Sequence, residues 1–279
     1  MNIEKRRNVA VTAVLYIVLI VITLGTLFPF AWMLVSSIKP EVEIMAYPIV
    51  WLPSKAIWSN YKEIWTIIPL ATFIRNTVVL AVTVTFLQVI TSSFAAYAFA
   101  KLKFPGRDIL FLTYFATIAI PWQAYMVPQF IMMAKYFHLN NTLWSMICLQ
   151  AFSAFGVFLM RQFFMSIPDE LCEAARIDGM SEYGIWGKIM LPNAKPALMT
   201  LTIFTFVATW NDFLGPYIYL TKDEVKTIQI GLRMFNTQYN TSYGLMMAAS
   251  AITLVPLLVI FLAGQKQFVE GVAMSGIKG

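Results

Sequence analysis

Six long windows of this 279-residue chain hold no Lys, Arg or Glu: 8–38, 76–100, 109–134, 136–160, 196–221 and 234–265, with Asp212 the one carboxylate among them. Each exceeds the roughly 20 residues an α-helix needs to cross a hydrocarbon layer about 30 Å thick. Backbone amides find no water at that depth, so a spanning segment must satisfy its own hydrogen bonds. The composition agrees, because only 12% of residues are charged and 59% are hydrophobic, against roughly a quarter charged in soluble domains. The pattern predicts an all-α membrane protein with six transmembrane helices.

Orientation follows from Lys and Arg near the helix ends. With both termini inside, twelve of the 20 basic residues are cytoplasmic, including the dense clusters Lys5-Arg6-Arg7 and Lys101 to Arg107. The expected topology is therefore N-in and C-in, and the net charge of +6 is explained without any nucleic-acid partner. The first window follows Lys5 to Arg7 as a secretory signal would. It is far longer than the ~7–15 residues of a signal's apolar region and has no small-residue cleavage site behind it, so an uncleaved helix is expected. Cys148 falls in the fourth window and Cys172 in the next cytoplasmic loop, which argues against a disulfide. No Cys or His spacing suggests a metal, and the single histidine, His138, sits at an outer helix end.

Several polar residues lie at membrane depth. Pro121-Trp122-Gln123 and Pro128 break the bonding of the third helix, which places it beside protein or a wet pathway. Gln150 in the fourth helix reads equally as interhelical glue or as a pathway lining. Asp212, in Trp210-Asn211-Asp212, is a functional candidate by its charge, although Gly215-Pro216 just beyond equally allows a solvated place at the outer mouth. Outside the membrane, Trp51, Trp58 and Trp65 suit a segment lying along the headgroups.

The most polar stretch follows the fourth helix. Ser166-Ile167-Pro168-Asp169 has the form of a helix start: Ser166 can cap, Pro168 fits the first turn, and Asp169 and Glu170 complement the dipole. That helix is expected to reach Ile177, with Gly179 in the left-handed position past its end. A second helix over 182–190 would stop before Pro192. The product is an exposed helix-turn-helix with Leu171, Ala174 and Ala175 on one stripe, suited to docking on another protein.

Its spacing, E-A-A, three residues, G, nine residues, I-x-L-P, resembles the EAA loop of ABC importer permeases at Glu173, Ala174, Ala175, Gly179, Ile189, Leu191 and Pro192. Further segments are similar to the shorter six-helix partner of the maltose-type carbohydrate permeases: Asn60-Tyr61, Arg75-Asn76-Thr77, Ala96 to Arg107, Trp210-Asn211-Asp212-Phe213 and the tail ending Gly276-Ile277-Lys278-Gly279. The resemblance implies a cytoplasmic leader (1–8), a first helix with an outer interfacial loop (9–69), a five-helix permease core (70–265) containing the coupling loop (166–195), and a cytoplasmic tail (266–279). It implies a transport subunit, not an enzyme, forming half of a pathway for a sugar or oligosaccharide in a bacterial or archaeal cell membrane. A second homologous permease, two copies of an ABC ATPase and an external solute-binding protein are the implied partners. ATP and Mg belong to the ATPase, since this chain has no G-x-x-x-x-G-K-[ST] loop and is expected to bind no cofactor. By the same resemblance, the outer loop 222–243 matches the position of the segment that reaches the binding protein.

A sugar pathway would draw on Trp122, Gln150, Trp210, Asn211, Asp212 and Tyr217, although aromatics in membrane helices are commonly packing or interface residues. The runner-up is a permease for a non-sugar solute such as phosphate or an amino acid. No arginine lies in the windows, which argues against an anion. An ion-coupled secondary transporter, the alternative from another class, would show repeats and several intramembrane charges.

Overall fold

The computed structural model describes residues 3–236 and 242–276, with side chains described over 11–236, 242–269 and 271. Its main helices are α1 (Ile3–Ser36), α2 (Asn60–Ile67), α3 (Leu70–Lys101), α4 (Arg107–Ala116), α5 (Met126–Ile131), α6 (Leu143–Gln150), α7 (Ala154–Ser166), α8 (Asp169–Ile177), α9 (Glu182–Ile185), α10 (Lys195–Asn211) and α11 (Tyr243–Gly276). No β-strand occurs among the described residues.

The windows do not all fold as single rods. Three uninterrupted stretches are long and apolar enough to cross a membrane: Val11–Ser36, Leu70–Lys101 and Tyr243–Val269. The fourth window is α6 and α7, bent by 40° at residues 151–153. The third divides into α4, two 3-10 turns flanking Pro121, α5 and a wide π turn at Met132–Tyr136. The fifth stops at Asn211 and resumes at Leu214. Pro121 and Pro128 explain the third. No proline or glycine marks the fourth break, where Ser153 starts α7 by accepting the Gly156 N–H at 3.0 Å.

The chain forms two compact units. In the first, residues 1–68 and 232–254, α1 runs unbroken through Pro29 and exposes an apolar surface from Val11 to Leu34. Lys39 is 1% exposed, lies 4.1 Å from the Trp32 ring and donates to the Val50 carbonyl at 2.5 Å. These contacts answer a buried cation with a ring face and a carbonyl oxygen. Trp51 packs edge-on against Trp32 and Phe28, and Trp51, Trp58 and Trp65 are all exposed. The Glu41 carboxylate accepts the Tyr243 and Gly244 N–H groups at 2.7 and 3.0 Å and so caps α11. Of the polar outer loop 222–243, residues 237–241 lie outside the described ones.

The second unit, 69–231 and 255–279, is built on α3 packed against α7 and α10. Ala96, Tyr97, Val157, Met160, Phe164, Ile185, Met190 and Leu201 belong to its core. These helices meet closely at Gly156, where an added Cβ would lie 2.4 Å from Ser92 Oγ and 3.2 Å from Leu201 Cδ1. Gly156→Leu is expected to wedge α7 from α3 and destabilise the protein by about 1–3 kcal/mol, read as a lowered Tm of the detergent-purified protein.

Candidate functional site

Two features of the second unit combine polar side chains with exposed surface. The first is an open cleft of about 540 Å³ lined by Gln88, Gln150, Ser153, Phe155, Phe204, Thr205, Ala208, Thr209 and Asp212. Its polarity originates in the break between α6 and α7, which leaves the Gln150 and Ala151 carbonyls without helical partners. Gln88 Nε2 on α3 donates to the Gln150 carbonyl at 2.7 Å, and Thr91 Oγ1 donates to that of Ala151 at 2.8 Å. Thr205 on α10 donates to Gln88 Oε1 at 3.0 Å. Across the cleft, Gln150 Nε2 donates to Asp212 Oδ2 at 2.8 Å, and the Gly215 N–H donates to Oδ1 at 3.2 Å. Gln150 Oε1 is buried without a partner. Phe155 and Phe204, 6.1 Å apart, add an aromatic wall, and no Lys or Arg lines the cleft.

Of the six pathway candidates, the structure brings Gln150 and Asp212 together and disperses the rest. Trp122 Nε1 donates to Gln129 Oε1 at 2.8 Å and packs in a separate apolar cluster. Trp210 is buried, stacked on Phe206 at 5.7 Å. Asn211 is exposed, donating to the Val207 carbonyl at 3.0 Å and accepting from Gln229 at 3.3 Å. Tyr217 is exposed and stacks on Phe213 at 5.2 Å. Sequence reasoning missed Gln88, Ser153, Thr205 and the two phenylalanines. Gln88 carried the same signal as Gln150, an amide inside an apolar window.

The second feature is the polar loop. α8 begins at Asp169 with Pro168 before it and no side-chain cap. Ser166, expected to cap α8, instead closes α7 by donating to the Phe163 carbonyl at 2.7 Å. Gly179 adopts the expected left-handed φ of +79°, and a Cβ there would meet nothing within 4 Å. Ser181 caps α9, accepting the Gly184 N–H at 3.3 Å. The second helix does not stop before Pro192. A π turn at Trp186–Met190 leads into a helical turn at Leu191–Asn193 with Pro192 in its first positions, where a missing N–H costs nothing.

The stripe also differs from the one expected. Cys172 and Ala175 are buried, whereas Leu171, Glu173, Ala174, Ile177 and Gly179 face outward, Ile177 at 87% exposure. Ile189 and Leu191 pack half-buried against the core and Pro192 is exposed. The inward face is fastened to α3. Lys101 Nζ donates to the Ile167 carbonyl at 2.6 Å and pairs with Asp169, while Tyr97 OH donates to Glu182. Arg176 grips Glu182 through two bonds of 2.7 and 3.2 Å. Lys101 holds the Asp169 carboxyl below the ordinary carboxylate range, and Arg176 does the same for Glu182. The same pair raises the Arg176 guanidinium, and burial pushes the Cys172 thiol up.

Residues 88–273 match the family of binding-protein-dependent transport system inner membrane components. The chain belongs to this family. As a permease subunit of an ABC importer it is a transport component, with ATP hydrolysis on a separate subunit. The permease is 34% identical over 255 residues to the arabinooligosaccharides transport system permease protein AraQ of Halalkalibacterium halodurans, covering 90% of this chain and 91% of that one. It is 31% identical over 281 residues to the sn-glycerol-3-phosphate transport system permease protein UgpE of Pectobacterium atrosepticum, covering 98% and 99%. Its fold matches the crystal structure of a bacterial ABC transporter that imports the acidic polysaccharide alginate, with a TM-score of 0.81, 25% identity and coverage of 96% and 99%.

The permease's loop contacts yield a chemical prediction. Thiolate is the nucleophile in alkylation, so the buried Cys172 with its raised pKa is expected to react slowly with iodoacetamide at pH 7. Glu182→Gln weakens the grip of Arg176 and Tyr97 and is expected to speed that reaction about tenfold, equivalent to ~1.4 kcal/mol of lost docking, as measured by mass spectrometry of the loop peptide.

Proposed function

We propose that this permease conducts an uncharged sugar or oligosaccharide through the cleft lined by Gln88, Gln150, Ser153, Thr205 and Asp212, driven through the loop 166–195 by a separate ATPase. The observation that carries the substrate class is the lining itself. Amides, hydroxyls and a carboxylate offer donors and acceptors to sugar hydroxyls, and Phe155 and Phe204 offer flat apolar faces to the ring. A phosphorylated or uronate solute would leave its anion facing Asp212 with no cation to answer it. Among the solutes of the relatives, the arabinose-type neutral chain therefore fits this cleft better than glycerol phosphate or alginate.

In this reading Glu173, Ala174 and Gly179 present the surface that enters an ABC ATPase. Ala175, Ile189 and Leu191 fix that surface to the core, and Pro192 sets the return into α10. Two ATPase copies carry the ATP and Mg, a second permease completes the pathway, and a solute-binding protein delivers the sugar. The third, fourth and fifth windows each count as one interrupted span, giving six spans with both termini inside the cell membrane. The interruptions are compatible with spanning because broken backbone is tolerated where it lines a wet cavity.

Two measurements test the reading. Glu173→Lys is expected to leave the permease in the membrane while the ATPase no longer co-purifies with it; a fully assembled, active complex from that variant would dismiss the docking role. Asp212→Asn is expected to reduce uptake of arabino-oligosaccharide at least about tenfold, the lower end for one lost charge-assisted bond, at unchanged membrane abundance, and unaltered uptake would remove Asp212 from the pathway.

A further inference from the structure

We propose that α3 is a rigid connecting rod between the loop and the cleft, and that Tyr97 and Lys101 are the positioning residues through which loop movement reaches it. This rests on the reading of 166–195 as the ATPase-engaging loop.

At its inner end α3 holds both halves of the loop at once. Lys101 binds the Ile167 carbonyl and Asp169 at the start of α8, and Tyr97 binds Glu182 on α9, which in turn is gripped by Arg176 near the end of α8. The Lys101 side chain is 3% exposed although its partner Asp169 is 75% exposed, so the cation is tied to α3's packing and not to solvent. Tyr97 is likewise buried in the core. Lys101 and Tyr97 are the buried members of these contacts, so a slip would leave a buried ammonium and a buried hydroxyl without their acceptors, which makes the attachments costly to break.

Further along the same helix, Gln88 and Thr91 hold the carbonyls at the α6–α7 break. Gln88 and Tyr97 are nine positions apart, roughly 13 Å along a helix rising 1.5 Å per residue. Between Leu70 and Lys101 there is no Gly or Pro, whereas α1 contains Gly25 and Pro29 and α11 contains Pro256 and Gly264. Sharp helix bends need such residues or an inserted group. A displacement imposed at Tyr97 and Lys101 therefore arrives at Gln88 nearly undiminished.

What it meets there is two-state in character. The Gln150 and Ala151 carbonyls have no helical donor to fall back on, so the Gln88 and Thr91 bonds are either made or exchanged for water or solute hydroxyls in the cleft. Gln88 also accepts from Thr205 on α10, so its withdrawal frees the opposite wall in the same event. Loop movement and exposure of cleft donors to a sugar thus become one transition.

The test uses the assembled importer, purified in detergent through a tag on this chain from its own host. A reporter thiol is placed in the cleft as Ala208→Cys in a Cys148→Ala, Cys172→Ala background, so that neither native cysteine of this chain competes for label when the loop is loosened. Maleimide labelling is followed with no nucleotide and with ATP plus vanadate. The expected parent shows a change in labelling rate of about fivefold or more, the lower range of ordinary coupling. Tyr97→Phe with Lys101→Met is expected to cut it below about twofold while the ATPase still co-purifies, and Lys101→Arg alone is expected to retain it. A full-sized nucleotide effect in the double variant overturns the relay, as does a parent whose cleft labels equally in both states. If the double variant fails to accumulate, Tyr97→Phe alone, which removes one hydroxyl and keeps the packed ring, is held to the same criteria. Failure of the docking reading would show separately, as an ATPase that stays bound to Glu173→Lys.

Discussion

The fold is governed by the need to satisfy backbone polar groups where no water reaches. α1, α3 and α11 meet it within themselves, each as one long helix. The interrupted segments cannot, and the break between α6 and α7 is answered by side chains of a neighbour: Gln88 and Thr91 reach across from α3 to the carbonyls of Gln150 and Ala151. The polar cleft exists because of that repair. Once an amide is needed at this depth, its own oxygen needs a donor, which Thr205 supplies, and Gln150 is in turn bonded to Asp212. A conformational irregularity of three residues thereby recruits polar groups from four helical segments around one space.

The loop follows a complementary logic. Its inward face is committed to α3 through Lys101, Tyr97 and the Arg176–Glu182 pair, and to the core through Cys172, Ala175 and Ile185. That commitment leaves Glu173, Ala174, Ile177 and Gly179 outward on a short, stiff platform. An exposed isoleucine beside an exposed carboxylate is poorly suited to water and well suited to a protein groove. In the proposed mechanism the same helix that steadies this platform also steadies the cleft, so neither can move without consequence for the other.

Much of this was legible beforehand. The apolar windows announced helices at membrane depth, Pro121 and Pro128 announced the interruption of the third, and Gly179 announced a left-handed turn. Local chemistry misled where a residue had two neighbours to choose from. Ser166 was read as the cap of the helix that follows and belongs to the one that precedes. Pro192 was read as a stop and sits in a first turn, where its lack of an N–H is harmless. The stripe through Leu171, Ala174 and Ala175 was read from spacing alone, but which face of a short helix turns inward depends on what it packs against, and Cys172 with Ala175 met the core instead.

Composition and spacing settled the class of molecule, its membrane setting and the outline of its polar loop, because these depend on hydrophobic length, capping chemistry and short-range order along the chain. The cleft was decided only by tertiary structure. Gln88, Gln150, Thr205 and Asp212 are separated by up to 124 positions in the chain (88 to 212), and no local rule could have distinguished Gln150 and Asp212 from Trp122, Asn211 or Tyr217. The break that gathers them carries no proline or glycine; its freed carbonyls are met by donors that a neighbouring helix holds at the same height, which is a fact of packing and not of local sequence.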